Sequence, residues 1–225
     1  ENKHRVHEII SKAYAKAFDK VINVVNYGVR DEEQIKLAFD ELKFSPRRDG
    51  FGSKWFPEKD RLDFVKYFPE RIIIAEACYW GNGPIEYHKQ DEGRIVWTSW
   101  REYYDEVVNL ALKSHANYLD MRTTVETERY MNEATEAANL FLKRGGYRIY
   151  PEEISYSTND STICINHTWK NIGVGVLPNN NVNLRNKYKV SFALFDKNNN
   201  IVKKFISNNI EVSQLINGKT ISATD

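Results

Sequence analysis

Cysteine is scarce in this chain. Cys78 and Cys164 are the only two among 225 residues, and they fall in stretches of different character. Such a pair argues against a disulfide framework, and against a zinc site, which needs its ligands clustered. A surplus of one charge is also missing, since 32 Lys and Arg stand against 31 Asp and Glu. Without a basic excess, neither nucleic acid nor an anionic membrane surface is expected as a partner. No apolar run approaches the roughly 18 residues of a membrane span. No secretory leader opens the chain. A start inside a helix suits a mature or trimmed protein as well as a cytoplasmic one.

Aromatic rings, by contrast, are plentiful: 13 Tyr, 11 Phe and 5 Trp. Sugar-binding clefts use such rings as stacking platforms, and large cores use them too, so the count alone does not decide. Two glycosylation sequons, Asn159-Asp160-Ser161 and Asn166-His167-Thr168, matter only on a eukaryotic secretory route.

The first two thirds of the chain alternate helix and strand. Val6, Ile9, Ile10, Ala13 and Ala17 recur at helical spacing, predicting an amphipathic helix over 4–18 whose apolar face lies on something larger. VINVVNY (21–27) reads as a strand ending in Asn26 and Tyr27, and the acids from Asp31 open a helix running to about Leu42. FSPRRDGFGSKW (44–55) is weak by propensity but bounded like a strand, with Arg48 and Asp49 at its end. A helix over 60–68 leads into RIIIAEACYW (71–80), a short β-branched run typical of a parallel strand covered on both faces. A loop over 81–96 is long enough to suggest function. Ser99 caps a helix over 100–113, SHANYLDMR (114–122) is the fourth strand, and a helix over 129–144 closes at Gly145-Gly146.

From Tyr147 the pattern changes. STICINHTW, KYKVSFALFD and NIVKKFI alternate apolar and polar residues between Asn- and Gly-rich turns, predicting antiparallel strands of a β-sandwich. The expected fold class is therefore α/β. Residues 1–148 form a TIM-barrel portion and residues 149–225 an all-β domain. Four parallel strands neither close an eight-stranded barrel nor easily cover both faces as an open sheet. The expectation is the C-terminal half of a (β/α)8 barrel followed by an incomplete β-sandwich.

In such a barrel the chemistry sits at the C-terminal ends of the strands, where Glu76 ends the isoleucine run with Trp80 just beyond. A strand-end acid in a loop salt bridge is the plain alternative. Asn26, Tyr27, Arg48, Asp49 and Trp80 belong to the same rim as candidate substrate-binding residues. An Arg–Asp pair bracing its own loop and simple capping remain open for Arg48, Asp49, Asn26 and Tyr27. His115 and Asn117 share a face of the fourth strand and can point into the barrel mouth, although a packed, hydrogen-bonded histidine is the commoner case. Trp97 and Trp100 read as packing residues, and Trp169, Asn171 and Gly173 as core and turn residues of the β domain. No lysine ends a strand and no metal-ligand cluster is visible, which weakens a lyase or aldolase reading.

The ordered series HRVHEIISKAYAKAF, RRDGFGS, IIIAEACYWG, ALKSHANYLDMRT, FLKRGGYRIYP and HTWKNIGVGVLP resembles a bacterial β-galactosidase-like family, with a glycoside-hydrolase-type (β/α)8 barrel followed by a small β-sandwich. The resemblance covers most of residues 4 to 196 and makes the four strands the fifth to the eighth. It implies a retaining glycoside hydrolase whose nucleophile, at the end of the seventh strand, is Glu76. The acid/base, from the fourth strand, lies outside this sequence. Retaining chemistry needs both carboxylates, roughly 5 to 5.5 Å apart. The resemblance implies a carbohydrate substrate, no cofactor, and a secreted or periplasmic bacterial protein. A non-catalytic carbohydrate-binding barrel is the alternative.

Overall fold

The computed structural model describes residues 2–26, 31–53, 56–78, 97–185, 187–216 and 218–225. The chain is mixed α/β, with a four-stranded parallel sheet followed by antiparallel sheets. Strands β1 (Val24–Asn26), β2 (Ser45–Phe51), β3 (Ile73–Ala77) and β4 (Ala116–Asp120) lie side by side in chain order and are all parallel. Such neighbours must be joined by crossovers, and helices supply them. Helix α1 (Asn2–Ala17) precedes β1, and α2 (Glu32–Ile35) continues through a π-helical stretch (Lys36–Glu41) towards β2. Helix α3 (Glu58–Val65) leads into β3, α4 (Trp100–Lys113) into β4, and α5 (Thr124–Glu133) and α6 (Thr135–Arg144) follow β4. Among the described residues no helix is long and apolar enough to cross a membrane.

The main core lies on one face of this sheet. Ile73, Ala75 and Ala77 of β3 pack with Phe64 of α3, Tyr103, Tyr104, Val107 and Val108 of α4 and Tyr130 of α5, all nearly or wholly buried. Gly52, at φ +79°, lets the chain turn beneath α4, where a Cβ would fall 2.4 Å from Val107. On the opposite face of β3, Ile74 is only partly buried and Glu76 follows it. Ile72 and Glu76 on that face are buried as well, so β3 is largely covered on both sides, as the isoleucine run predicts.

Two expectations are corrected. The apolar stripe of α1 is not covered: Val6, Ile9, Ile10 and Tyr14 are about half exposed, and Ala15 alone of this helix packs on the Ala38/Phe39/Phe44 cluster. The helix expected over 129–144 is two helices, because the backbone leaves helical geometry at Ala134 (φ −134°, ψ 41°), between α5 and α6.

Beyond Gly146, β5 (Ile149–Thr158), β6 (Ile163–Asn171) and β9 (Thr220–Thr224) form an antiparallel sheet in the order β5-β6-β9. Strands β7 (Ser191–Phe195) and β8 (Ile201–Ile206) make a hairpin. A second core of Leu177, Val190, Ile210, Val212 and Leu215 joins Trp169 of β6, Phe192 of β7 and Ile221 of β9. Cys78 and Cys164 are both free thiols. Burial of Cys78 pushes its thiol up to about 11.

The β segment is tied to the parallel sheet by close backbone approach. Gly173 lies where a Cβ would sit 2.2 Å from the Gly146 carbonyl oxygen. Asn171 has no exposed surface, and its Oδ1 accepts from the backbone N–H groups of Arg148 (2.7 Å) and Gly173 (2.9 Å). Its Nδ2 donates to the carbonyls of Gly175 (3.0 Å) and Leu215 (2.8 Å). Every polar valence of a buried amide is thereby used, as low-dielectric surroundings require.

Candidate functional site

Side chains on a strand alternate between faces, so register decides what Glu76 meets. Arg48 pairs with Ala75 and Arg47 with Ile74, two residues before Glu76 on the same face. Asn26 of β1 pairs with Arg47, and Asp120 of β4 with Glu76. One face of the sheet, opposite the main core, thus carries Asn26, Arg47, Ile74, Glu76, Tyr118 and Asp120. The C-terminal ends of the four strands lie together because all run the same way.

Glu76 has no exposed surface, and its two oxygens are taken by two different cations. Arg47 contacts Oε2 from β2, and Arg122 contacts Oε1 from just beyond β4. Both arginine side chains remain about a third exposed, at 32% and 35%. Arg122 reaches the carboxylate from a left-handed backbone conformation, φ +74°, which is unfavourable for a side chain of this kind. The turn is held by Asp120, whose Oδ1 accepts the Arg122 backbone N–H at 2.8 Å. A cation on each oxygen favours the ionised carboxylate at the strand ends. Such an arrangement can present a positioned nucleophile or place a cationic wall beside a polar ligand.

The other expected rim residues divide. Asn26 is brought beside Arg47 by strand pairing, and it also lines a small cavity between α1 and α2 with His7, Ser11 and Gln34. Tyr27 and Trp80 lie outside the described residues. Arg48 and Asp49 are not part of the Glu76 cluster. The Arg48 guanidinium donates to the Asp49 carbonyl (2.9 Å) and carboxylate (2.5 Å), approaches Asp60 of α3 and lies 5.3 Å from the centre of the Phe56 ring. Consecutive residues of a strand face opposite ways, and Arg47 has the Glu76 face, so Arg48 serves the helix side.

His115 and Asn117 are also corrected. They stand at the beginning of β4, the end remote from Glu76. His115 adopts φ +55° after the last turn of α4, stacks on Phe68 at 4.1 Å, and its Nδ1–H donates to the Val174 carbonyl at 3.1 Å. Burial lowers its pKa from the ordinary value, with Arg61 acting in the same direction and the Val174 contact opposing. Asn117 donates to the Val176 carbonyl (2.8 Å) and accepts from the Val176 N–H (3.2 Å), clasping the chain that follows β6. Both residues join the two parts of the molecule. Trp97 and Trp100 are packing residues as expected: Trp97 Nε1 donates to Glu106 at 2.6 Å, and Trp100 stacks near Tyr104 beneath the Arg129 guanidinium.

The arginines were the residues sequence reasoning missed. Arg47 was visible as the first of an Arg-Arg pair, in which alternation must send one side chain to each face. Arg122 was visible as the end of an Asp120-Met121-Arg122 turn after a strand. Comparison of the chain with family models, with curated proteins and with solved structures finds no match.

Proposed function

We propose that this chain is half of a retaining glycoside hydrolase barrel, with Glu76 as its nucleophile and a carbohydrate as its substrate. The four strands are the fifth to eighth of the barrel, and the antiparallel sheets beyond them belong to an appended β-sandwich. The general acid then comes from outside these residues. A secreted or periplasmic setting in a bacterium fits a polysaccharide substrate.

The observation that carries the reading is the position of Glu76. It stands at the end of the third of four sequential parallel strands, on the face away from the main core, with its carboxylate paired to Arg47 and Arg122. Barrel enzymes place their reacting groups at that end of the strands. The test needs a longer chain that supplies the rest of the barrel. There Glu76→Gln is expected to abolish turnover of aryl glycosides while sugar binding persists, because the amide cannot attack the anomeric carbon. Azide is expected to rescue Glu76→Ala in part and to give a product of inverted configuration. Retention of near-parental kcat by Glu76→Gln would place the nucleophile elsewhere.

A second reading is a carbohydrate-binding protein without hydrolysis. The complete burial of Glu76 under two arginines favours it, since the carboxylate surface a sugar must approach is occupied. Binding of oligosaccharides by a full barrel that cleaves none of them would select this reading.

A further inference from the structure

Away from the strand ends, α1 and the start of α2 bring together three side chains of metal-ligand type. His4, Asp31 and Glu33 each offer one ligand atom, and these atoms lie within 4.8 Å of one another. The two nitrogens of His4 face different carboxylates. Nε2 lies 3.2 Å from Asp31 Oδ2, and Nδ1 lies 3.4 Å from Glu33 Oε2. Nδ1 is buried and makes no hydrogen bond. With Nε2–H donating to Asp31, the imidazole takes the tautomer that leaves the Nδ1 lone pair directed at Glu33. A carboxylate on the far nitrogen is the usual support for a metal-bound histidine. The 3.4 Å gap between Nδ1 and Oε2 also matches the roughly 3.3 Å edge of a tetrahedron with zinc–ligand bonds of about 2.0–2.1 Å.

A second observation is independent of that geometry. Gln34 is 8% exposed, and neither Oε1 nor Nε2 has a hydrogen-bond partner. Buried amides are seldom left so. Gln34 lines the same open pocket of about 190 Å³ as His4 and Glu33, with Glu8, Leu37 and Glu41 completing its wall. A cation-bound water in that pocket can donate to Gln34 Oε1. The surrounding charge favours a cation, because Glu8, Asp31, Glu33 and Glu41 outnumber the nearby Lys12 and Arg5.

We propose that His4 Nδ1 and Glu33 hold a divalent transition-metal cation of the zinc class, with Asp31 orienting the imidazole and Gln34 accepting from a bound water. The metal would pin α1 to α2 at the edge of the sheet. His4 lies far from Asp31 and Glu33 in sequence, so the three form no readable motif.

The test is competition of the 225-residue chain with a chromophoric chelator for Zn²⁺ at pH 7.5, after exhaustive dialysis against EDTA. One equivalent is expected to bind. His4→Ala and Glu33→Gln should each weaken it at least tenfold. Asp31→Asn keeps a helix-capping side chain but loses the charge on the imidazole, and should weaken binding about 10–100-fold. Replacing both cysteines by serine should leave affinity unchanged. Circular dichroism of each variant without metal separates lost ligation from lost folding. Absence of competition would overturn the proposal, as would an equivalent of zinc that survives His4→Ala, or equal binding of Ca²⁺, which needs no imidazole.

Discussion

Removing both cations from Glu76 tests whether Arg47 and Arg122 hold it in place. The carboxylate has no exposed surface, so loss of both partners strands a charge against the sheet. Breaking a buried ion pair from one side typically costs about 3–5 kcal/mol, and the Arg47→Met, Arg122→Met double variant should lose about that much. Each single variant should lose less, about 1–2 kcal/mol, since the remaining arginine still answers the carboxylate. Both arginine side chains are about a third exposed, and water already screens part of what each contributes. The two losses should therefore combine to more than their sum. Adding Glu76→Met to the double variant restores a neutral, similar-sized cluster and should return stability to within about 1.5 kcal/mol of the parent. Urea unfolding followed by tryptophan fluorescence measures all four, with Trp97 and Trp100 reporting from the adjoining core. Strict additivity of the two single losses, with no recovery in the triple variant, would show that Glu76 does not depend on these arginines.

The sequence made the parallel half of the molecule legible because local signals there agree with the fold. A β-branched run at 72–74, helical periodicity in α4 and the Ser99 cap all survive in the structure, where Ser99 accepts from the Glu102 N–H at 3.2 Å. Contacts that depend on register were not legible. Arg47 and Glu76 come from two strands and Arg122 from the turn after a third, and a one-residue slip would send Arg47 or Glu76 to the other face. The β segment shows the same limit. Strand β5 was hidden by Pro151 and two glutamates, and all its residues but the first are exposed, so no buried face left a periodic trace. Its pairing with β6 absorbs the proline through a register shift between Pro151 and Glu153. Strand β9, TISAT, is too short for a pattern and is fixed by β6 alongside it. Asn171 was readable as a turn residue, but its four partners lie as far away as Leu215.

Two further outcomes follow from the junction between the two parts. Because burial depresses the His115 pKa, the folded chain binds fewer protons there than the unfolded chain. Its contribution is complete above an ordinary histidine value of about 6.5 and is lost as pH falls through the lower folded value. His115→Phe keeps a ring over Phe68 and removes the titration. The stability of parent minus variant, from urea unfolding at pH 8 and pH 5, should fall on acidification, and a flat or rising difference would refute the assignment. Asn171→Ala should be the more severe change. It removes an amide with no exposed surface and leaves two backbone N–H groups and two carbonyls without their partner. Each such orphan costs about 1–3 kcal/mol if it stays dry, and water entering the vacated space recovers part, so a net loss of about 3–5 kcal/mol is expected. Asn171→Asp should not repair it, because a carboxylate oxygen then faces the Gly175 and Leu215 carbonyls where Nδ2–H groups had donated. Trp169, two residues before Asn171 and packed on the same core, reports the unfolding of this segment directly. A loss below about 1 kcal/mol for Asn171→Ala would mean that the backbone of 171–176 is held by Gly173 and Gly175 packing on Gly146 and Asn117, with the amide merely filling the turn.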